Sequence, residues 1–94
     1  MAFFMYILKC RDDSYYIGHT DNIEQRIADH HAGKSASYTA SRLPFTVAYV
    51  QEFETRDEAL IAEQQIKGWR RSKKEALIRG DWETVKQLAS SKKE

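Results

Sequence analysis

Four side chains near the start of this 94-residue chain have the types and spacing of a phosphate site. Tyr6 and Tyr16 lie in two predicted strands, and Arg26 and His30 follow four residues apart, on one face of a predicted helix. Arginine binds two phosphate oxygens through its planar fork, and an imidazole can relay a proton. A tyrosine can act as a base toward water where a metal and a cation lower its pKa. Each residue also has a purely structural interpretation. Tyr6 and Tyr16 could be core aromatics, Arg26 could form a surface salt bridge, and His30 could cap the end of the helix.

Glu63 is the acidic residue with the least ordinary position. In the helix predicted after the capping box Thr55–Glu58, it lies beside Ala59 and Ile66 on the apolar side. A carboxylate that faces a core needs a partner, because an unpaired buried charge is costly. Two partners remain open. One is a structural ion pair with Arg26 or a lysine; the other is Mg²⁺ (or Mn²⁺), which often takes only one or two protein carboxylates.

The elements that must position these residues alternate between strands and helices. Three segments have the branched and aromatic composition of strands: Phe3–Cys10, Tyr15–His19 and Thr46–Phe53. Four helices are predicted, with N-caps at Asp21, Thr55, Ser72 and Asp81, and the last should turn Trp82 and Val85 inward. Residues 34–42 are predicted to be a loop. We expect one α/β domain over residues 1–90 and a frayed tail over residues 91–94.

The length of the first hairpin turn decides whether the two tyrosines can cooperate. A two-residue loop at Asp12 and Asp13 would place Tyr6 opposite His19 and send Tyr16 to the other face. An odd-numbered loop or a bulge would bring Tyr6 and Tyr16 to the same face. A shared phosphate site therefore predicts the second arrangement.

Charge and composition limit the functions that the chain can have. Its net charge is +1, but basic residues are concentrated after Glu63. Such a stripe can hold a phosphate backbone or can simply be a solvated helix face. The residues predicted to contact nucleic acid are Lys34, Lys67, Arg70, Lys73 and Lys74. No apolar run is long enough for a membrane span, and the single cysteine, Cys10, suits a reducing compartment. We therefore expect a cytoplasmic protein with no membrane partner, and charge alone leaves DNA binding open.

The order of these residues resembles that of the GIY-YIG nuclease superfamily. The second half of the motif is literal, as Tyr16-Ile17-Gly18, while the first half, Phe4-Met5-Tyr6, keeps only its tyrosine. Several further segments resemble the small stand-alone bacterial proteins of the UPF0213 group: Tyr6–Cys10, Gly33-Lys34 with Tyr38-Thr39, and Glu58–Leu60 through Ile66-Lys67. The resemblance covers nearly the whole chain.

The resemblance implies a fold and a reaction. The fold is a three-stranded antiparallel sheet flanked by helices, and the reaction is hydrolysis of DNA phosphodiesters with one divalent metal. The implied roles are a base at Tyr6 assisted by Tyr16, phosphate binding by Arg26, an auxiliary role for His30, a metal ligand at Glu63, and close backbone approach at Gly18. Many members carry an asparagine after the glutamate, whereas the only asparagine here is Asn22. The alternative is a nucleic-acid-binding module of the same architecture without catalysis.

Overall fold

A three-stranded antiparallel sheet with helices packed around it forms the fold, as expected. The computed structural model describes the backbone of residues 2–91 and the side chains of residues 2–87. In chain order the elements are β1 (Phe3–Cys10), β2 (Tyr15–Thr20), α1 (Ile23–His31), α2 (Ser37–Ala40), β3 (Phe45–Phe53), α3 (Arg56–Lys67), α4 (Arg71–Arg79) and α5 (Trp82–Ser91). The strand order is β2-β1-β3. None of the helices between residues 2 and 91 is long and apolar enough to cross a membrane.

The β1–β2 turn confirms the prediction that Tyr6 and Tyr16 share a face of the sheet. Tyr6 lies opposite Gly18, and Leu8 lies opposite Tyr16. The backbone N–H of Cys10 donates to the carbonyl of Ser14 at 2.8 Å, which leaves three residues, 11–13, in the loop. The last of them, Asp13, has a φ of 67°. This is the odd-numbered loop, closed by a left-handed residue.

Side-chain alternation along the strands gives the sheet two differently covered faces. On one face Met5, Ile7 and Ile17 pack against residues of α3, α4 and α5, which form the larger core. On the other face Tyr6 and Leu8 belong to a smaller cluster with side chains of α1 and Phe45. His19 lies opposite Met5 and so belongs to the first face. Tyr6, in the central strand β1, and His19, in the edge strand β2, therefore lie on opposite faces of the sheet.

Helix α3 begins as predicted, but the starts of two other helices differ. In α3 the Thr55 side chain accepts from the Glu58 backbone, and the Glu58 side chain accepts in return from the Thr55 backbone. Helix α1 is capped by Asn22, one residue after the predicted Asp21. Helix α4 starts after Arg70 with no side-chain cap, so the capping box predicted at Ser72 is wrong.

Further differences concern residues after position 33. The predicted loop contains α2, a single helical turn. Asp81 accepts from the Thr84 backbone at 3.2 Å, as a cap should, and Val85 is buried. Trp82, however, is 54% exposed, so its inward orientation is wrong. Of the predicted frayed tail, Ser91 is the last residue of α5, and residues 92–94 lie outside the described residues.

Candidate active site

Gly18 lets two neighbouring strands bring the hydroxyl of Tyr6 against the backbone of β2. A Cβ atom built on Gly18 would lie 2.6 Å from the Tyr6 hydroxyl oxygen and 2.8 Å from its Cζ atom. Both distances are far below ordinary van der Waals contact, and both atoms belong to a ring with no solvent exposure. The glycine is therefore required by the close approach of Tyr6, and no special φ is involved.

A buried chain of hydrogen bonds starts at Tyr6. Its hydroxyl oxygen is 2.9 Å from Nε2 of His30, and Nδ1 of His30 is 2.8 Å from the hydroxyl oxygen of Thr39. Thr39 donates its own proton to the carbonyl of Ala36 at 3.2 Å. Because that proton is already used, Nδ1 of His30 must donate to Thr39. In neutral imidazole Nε2 is then the acceptor, and the Tyr6 hydroxyl donates to it.

Burial sets the protonation states along this chain. It lowers the pKa of His30, and the nearby Arg26 charge lowers it further. Burial raises the pKa of Tyr6, as does the proximity of Tyr16, while Arg26 acts in the opposite direction. At neutral pH the pair therefore consists of a protonated tyrosine and a neutral histidine. His30 is available to accept the Tyr6 proton whenever Tyr6 receives another.

Tyr16 connects the buried chain with the surface through a column of stacked side chains. The ring of Tyr16 is 5.2 Å from that of His30 and 6.0 Å from that of Tyr38. The guanidinium of Arg42 lies 3.9 Å from the Tyr38 ring centroid, and its Nε donates to Asp12 at 3.0 Å. The column ties the Tyr16 ring to the hairpin turn and holds it beside Tyr6.

Arg26 projects from α1 toward the same place. Its Nη1 atom is 3.4 Å from the hydroxyl oxygen of Ser35, and its charge is close enough to lower the pKa of both Tyr6 and His30. Among the described side chains Arg26 forms no ion pair with Glu63, so the predicted Arg26 partner is wrong, whereas the lysine partner that the sequence also allowed is present as Lys67. Arg26 thus lies beside the tyrosines with a positive charge that no carboxylate neutralises in residues 2–87.

Glu63 is buried, as predicted, and both of its oxygens are bonded. Nδ1 of His19 lies 2.5 Å from Oε1, and Nζ of Lys67 lies 2.7 Å from Oε2. Burial alone would raise the pKa of Glu63, but the hydrogen bonds from Lys67 and His19 outweigh it and lower that pKa. The carboxylate is therefore charged, and its negative charge contributes to raising the pKa of Tyr6.

One hard divalent cation fits the chemistry at Glu63. No group of three or more histidines, cysteines or carboxylates gathers within the described residues, so a closed cage such as a zinc site is excluded there. Mg²⁺ needs less, because water and phosphate oxygens can complete its shell around a single carboxylate. Glu63 would be that carboxylate; its two oxygens are bonded to His19 and to the ammonium of Lys67, a positive group that a cation would have to replace.

The predicted nucleic-acid contacts fall into different environments. Lys34 and Arg70 are exposed, and Lys74 is half-buried. Lys67 is exposed but bonded to Glu63. Lys73 departs from the expected basic stripe because it is only 6% exposed, with its ammonium 4.1 Å from the centroid of the Trp69 ring. It is a packed residue and not a surface cation for DNA.

Two residues of the site carried no functional assignment in the sequence. Thr39 is nine positions after His30, and no local period links them. His19 could have been found, since alternation places it on the face opposite Tyr6, where α3 packs. The i,i+4 spacing of Glu63 and Lys67 was likewise visible and is a usual ion-pair spacing on a helix.

Residues 2–76 of the chain match the family model described as the GIY-YIG catalytic domain. That range contains the whole sheet, helices α1 to α3 and the first part of α4. Every residue of the candidate site lies inside it.

Relatives and solved structures agree with that match. A UPF0213 protein from Streptococcus pneumoniae is 45% identical over 75 residues, which are 80% of this chain and 76% of the relative. UPF0213 protein NP_0776A from Natronomonas pharaonis is 39% identical over 75 residues, which are 80% and 88% of the two chains. The solution NMR structure of UPF0213 protein BH0048 from Bacillus halodurans has a TM-score of 0.56, 39% identity and 84% coverage of both chains. That of EF2693 from E. faecalis has a TM-score of 0.60, 36% identity and 85% coverage of both.

Proposed function

This chain belongs to the GIY-YIG family, and from that premise we propose that it is a DNA endonuclease that hydrolyses phosphodiesters with one divalent cation, Mg²⁺ or Mn²⁺. The observation that carries the proposal is the buried hydrogen-bond chain from Tyr6 through His30 to Thr39. A core aromatic needs one partner for its hydroxyl. A neutral imidazole held in a single tautomer behind that hydroxyl is a proton acceptor, which a purely structural tyrosine does not require.

The first step is transfer of a proton from water. Tyr6 takes the proton of the attacking water while passing its own to Nε2 of His30, so no free tyrosinate has to form in a site that raises its pKa. The hydroxide left from the water forms the new P–O bond while the bond to the leaving sugar oxygen breaks, and that oxygen takes a proton from solvent. His30 holds the transferred proton on Nε2 and keeps its hydrogen bond from Nδ1 to Thr39. Because Tyr6 has no exposed surface, water reaches it only after a side chain moves, and we assign that movement to the half-buried Tyr16 ring beside it.

The remaining residues act on the phosphate. Arg26 binds the oxygens of the scissile group and stabilises the negative charge that grows on them. Glu63 would hold the divalent cation, which would supply further positive charge to stabilise the phosphate during hydrolysis. Lys34, Arg70 and Lys74 contact the DNA backbone, which gives affinity without selecting a sequence.

Incubation with supercoiled plasmid and with branched DNA tests the proposal. We expect nicked or linear product with Mg²⁺ or Mn²⁺ and none with EDTA, and no product from Glu63→Gln, which keeps shape but loses the charge. Gel-shift binding should remain within a few fold of wild type in that variant. Binding of DNA without cleavage under any of the metal conditions would instead support the non-catalytic nucleic-acid-binding module.

A further inference from the structure

The two side chains bonded to Glu63, His19 and Lys67, differ in how exposed they are. The Glu63 side chain is 11% exposed, and that of His19 is 25% exposed, whereas that of Lys67 is 54% exposed. Lys67 thus reaches from solvent to a carboxylate that is almost enclosed. Lys67 has a long, flexible stem that can move in solvent, whereas the shorter side chain of His19 extends from strand β2.

We propose that Lys67 is a displaceable counter-ion of Glu63: it occupies Oε2 in place of the divalent cation and, when the cation arrives, moves to the DNA phosphate. This inference rests on the proposed function, because it takes Glu63 as the metal ligand. It assigns to Lys67 two alternating partners, the carboxylate and the DNA, and to His19 the role of a positioning residue.

Geometry and charge make the two occupants of Oε2 exclusive. Lys67 is 2.7 Å from this oxygen, and a Mg²⁺ ion would sit at about 2.0–2.1 Å from it. Three positive charges would then lie within a few ångströms in a poorly solvated place, which strongly disfavours joint binding. His19 bonds the other oxygen and can keep it while Lys67 leaves. The carboxylate would therefore stay oriented, as outer hydrogen bonds usually ensure for metal ligands.

Helix α3 packs against β2, the strand that carries Tyr16, and Lys67 is the last residue of α3. Its exposed ammonium, once released from Glu63, would be free to bind a phosphate at that edge of the sheet. A phosphate beside Tyr16 and Arg26 would offer it a new partner. Metal binding would free Lys67 to bind the DNA, and DNA binding would hold Lys67 away from Glu63. Each should therefore strengthen the other.

Direct Mn²⁺ titration, followed by the electron paramagnetic resonance signal of free Mn²⁺, tests the competition without any cleavage. We expect Lys67→Met to bind Mn²⁺ about two- to five-fold more tightly than wild type, the range of a partly exposed ion pair. Lys67→Arg, which keeps the charge, should bind no more tightly than wild type. Lys86→Met removes one charge from an exposed position of α5 and should match wild type. Equal affinities for wild type and Lys67→Met would overturn the inference.

The salt dependence of DNA binding tests the second partner. In a Tyr6→Phe background, in which we expect cleavage to be slowed about 10²- to 10⁴-fold, Lys67 should add about 0.9 to the slope of log K against log salt with Mn²⁺ present, and nothing in EDTA. A Lys67 contribution of equal size in both conditions would overturn the inference while leaving the nuclease proposal intact. Absence of Mn²⁺ binding in wild type and in Lys67→Met would refute the metal role of Glu63, and the inference with it.

Discussion

Substitution of Gly18 by alanine perturbs the site through a single added methyl group. The new Cβ would lie 2.6 Å from the Tyr6 hydroxyl oxygen and 2.8 Å from Cζ, so the ring must move by nearly an ångström or the strand must shift. Either movement breaks the 2.9 Å bond from Tyr6 to His30. Because the ring is fully buried, no solvent-filled space is available to receive it.

The cost follows from three contributions. Overpacking costs about 1–3 kcal/mol, and loss of the hydrogen bond costs about 0.5–1.5 kcal/mol. Alanine returns about 0.5–1 kcal/mol of chain entropy relative to glycine. The middle of these ranges is a net loss of about 2 kcal/mol in the free energy of unfolding. For a domain of this size it corresponds to a fall of roughly 8–16 °C in Tm. Cleavage by the folded protein should fall about 100-fold or more, as misplacement by an ångström typically causes.

Gly68→Ala is the matched control. Its Cβ would meet nothing closer than the Gln65 carbonyl at 3.5 Å, and its φ is −82°, so we expect a change within about 0.5 kcal/mol and full activity. Urea unfolding and plasmid cleavage should be measured on both variants. Equal stability and equal cleavage for Gly18→Ala and Gly68→Ala would refute the close approach of Tyr6 to β2.

Two further predictions concern protonation and the basic residues. The folded-state pKa of His30 lies below its ordinary value of 6.5, so the unfolded chain takes up the proton first as the pH falls. The free energy of unfolding should therefore fall as the pH drops below about 6.5. In thermal melts from pH 7 to 5, His30→Gln should remove that part of the pH dependence, and an unchanged profile would contradict the prediction. Lys73→Met should lower the free energy of unfolding and leave the salt slope of DNA binding unaltered, because Lys73 is packed against Trp69. Lys74→Met should reduce that slope by about 0.9 with little change in stability. The reverse pattern would place Lys73 on the DNA-binding surface.

Local sequence patterns were sufficient to predict the strands and helices that carry most residues of the candidate site. The capping box at Thr55 and Glu58 was visible because its two hydrogen bonds join residues three apart. The burial of Glu63 followed from the helical period on the same element. The hairpin was different: alternation allowed two registers, and only the left-handed φ of Asp13 selects one. Aspartate tolerates that conformation without requiring it.

Tertiary packing determined what the patterns could not. Trp82 and Lys73 both depart from expectation, because the exposure of a side chain on α4 or α5 depends on which face the sheet and α3 leave free. The partners of Glu63 were equally undecided, since a lysine and Arg26 were both possible. Thr39 is the clearest case. Its bond to His30 requires the one-turn helix α2, whose four residues carry no helical period.

The cleavage rate of Tyr6→Phe relative to wild type tests the central claim most directly, because the change removes only the hydroxyl that donates to His30. Rates should be compared on supercoiled plasmid with Mg²⁺, with melting curves and DNA affinity recorded for both proteins. We predict that the variant melts within a few degrees of wild type, binds DNA within a few fold, and cleaves about 10²- to 10⁴-fold more slowly, the usual effect of losing a general base. Cleavage at the wild-type rate by a folded Tyr6→Phe protein would contradict the assignment of Tyr6 as the group that takes the proton from water.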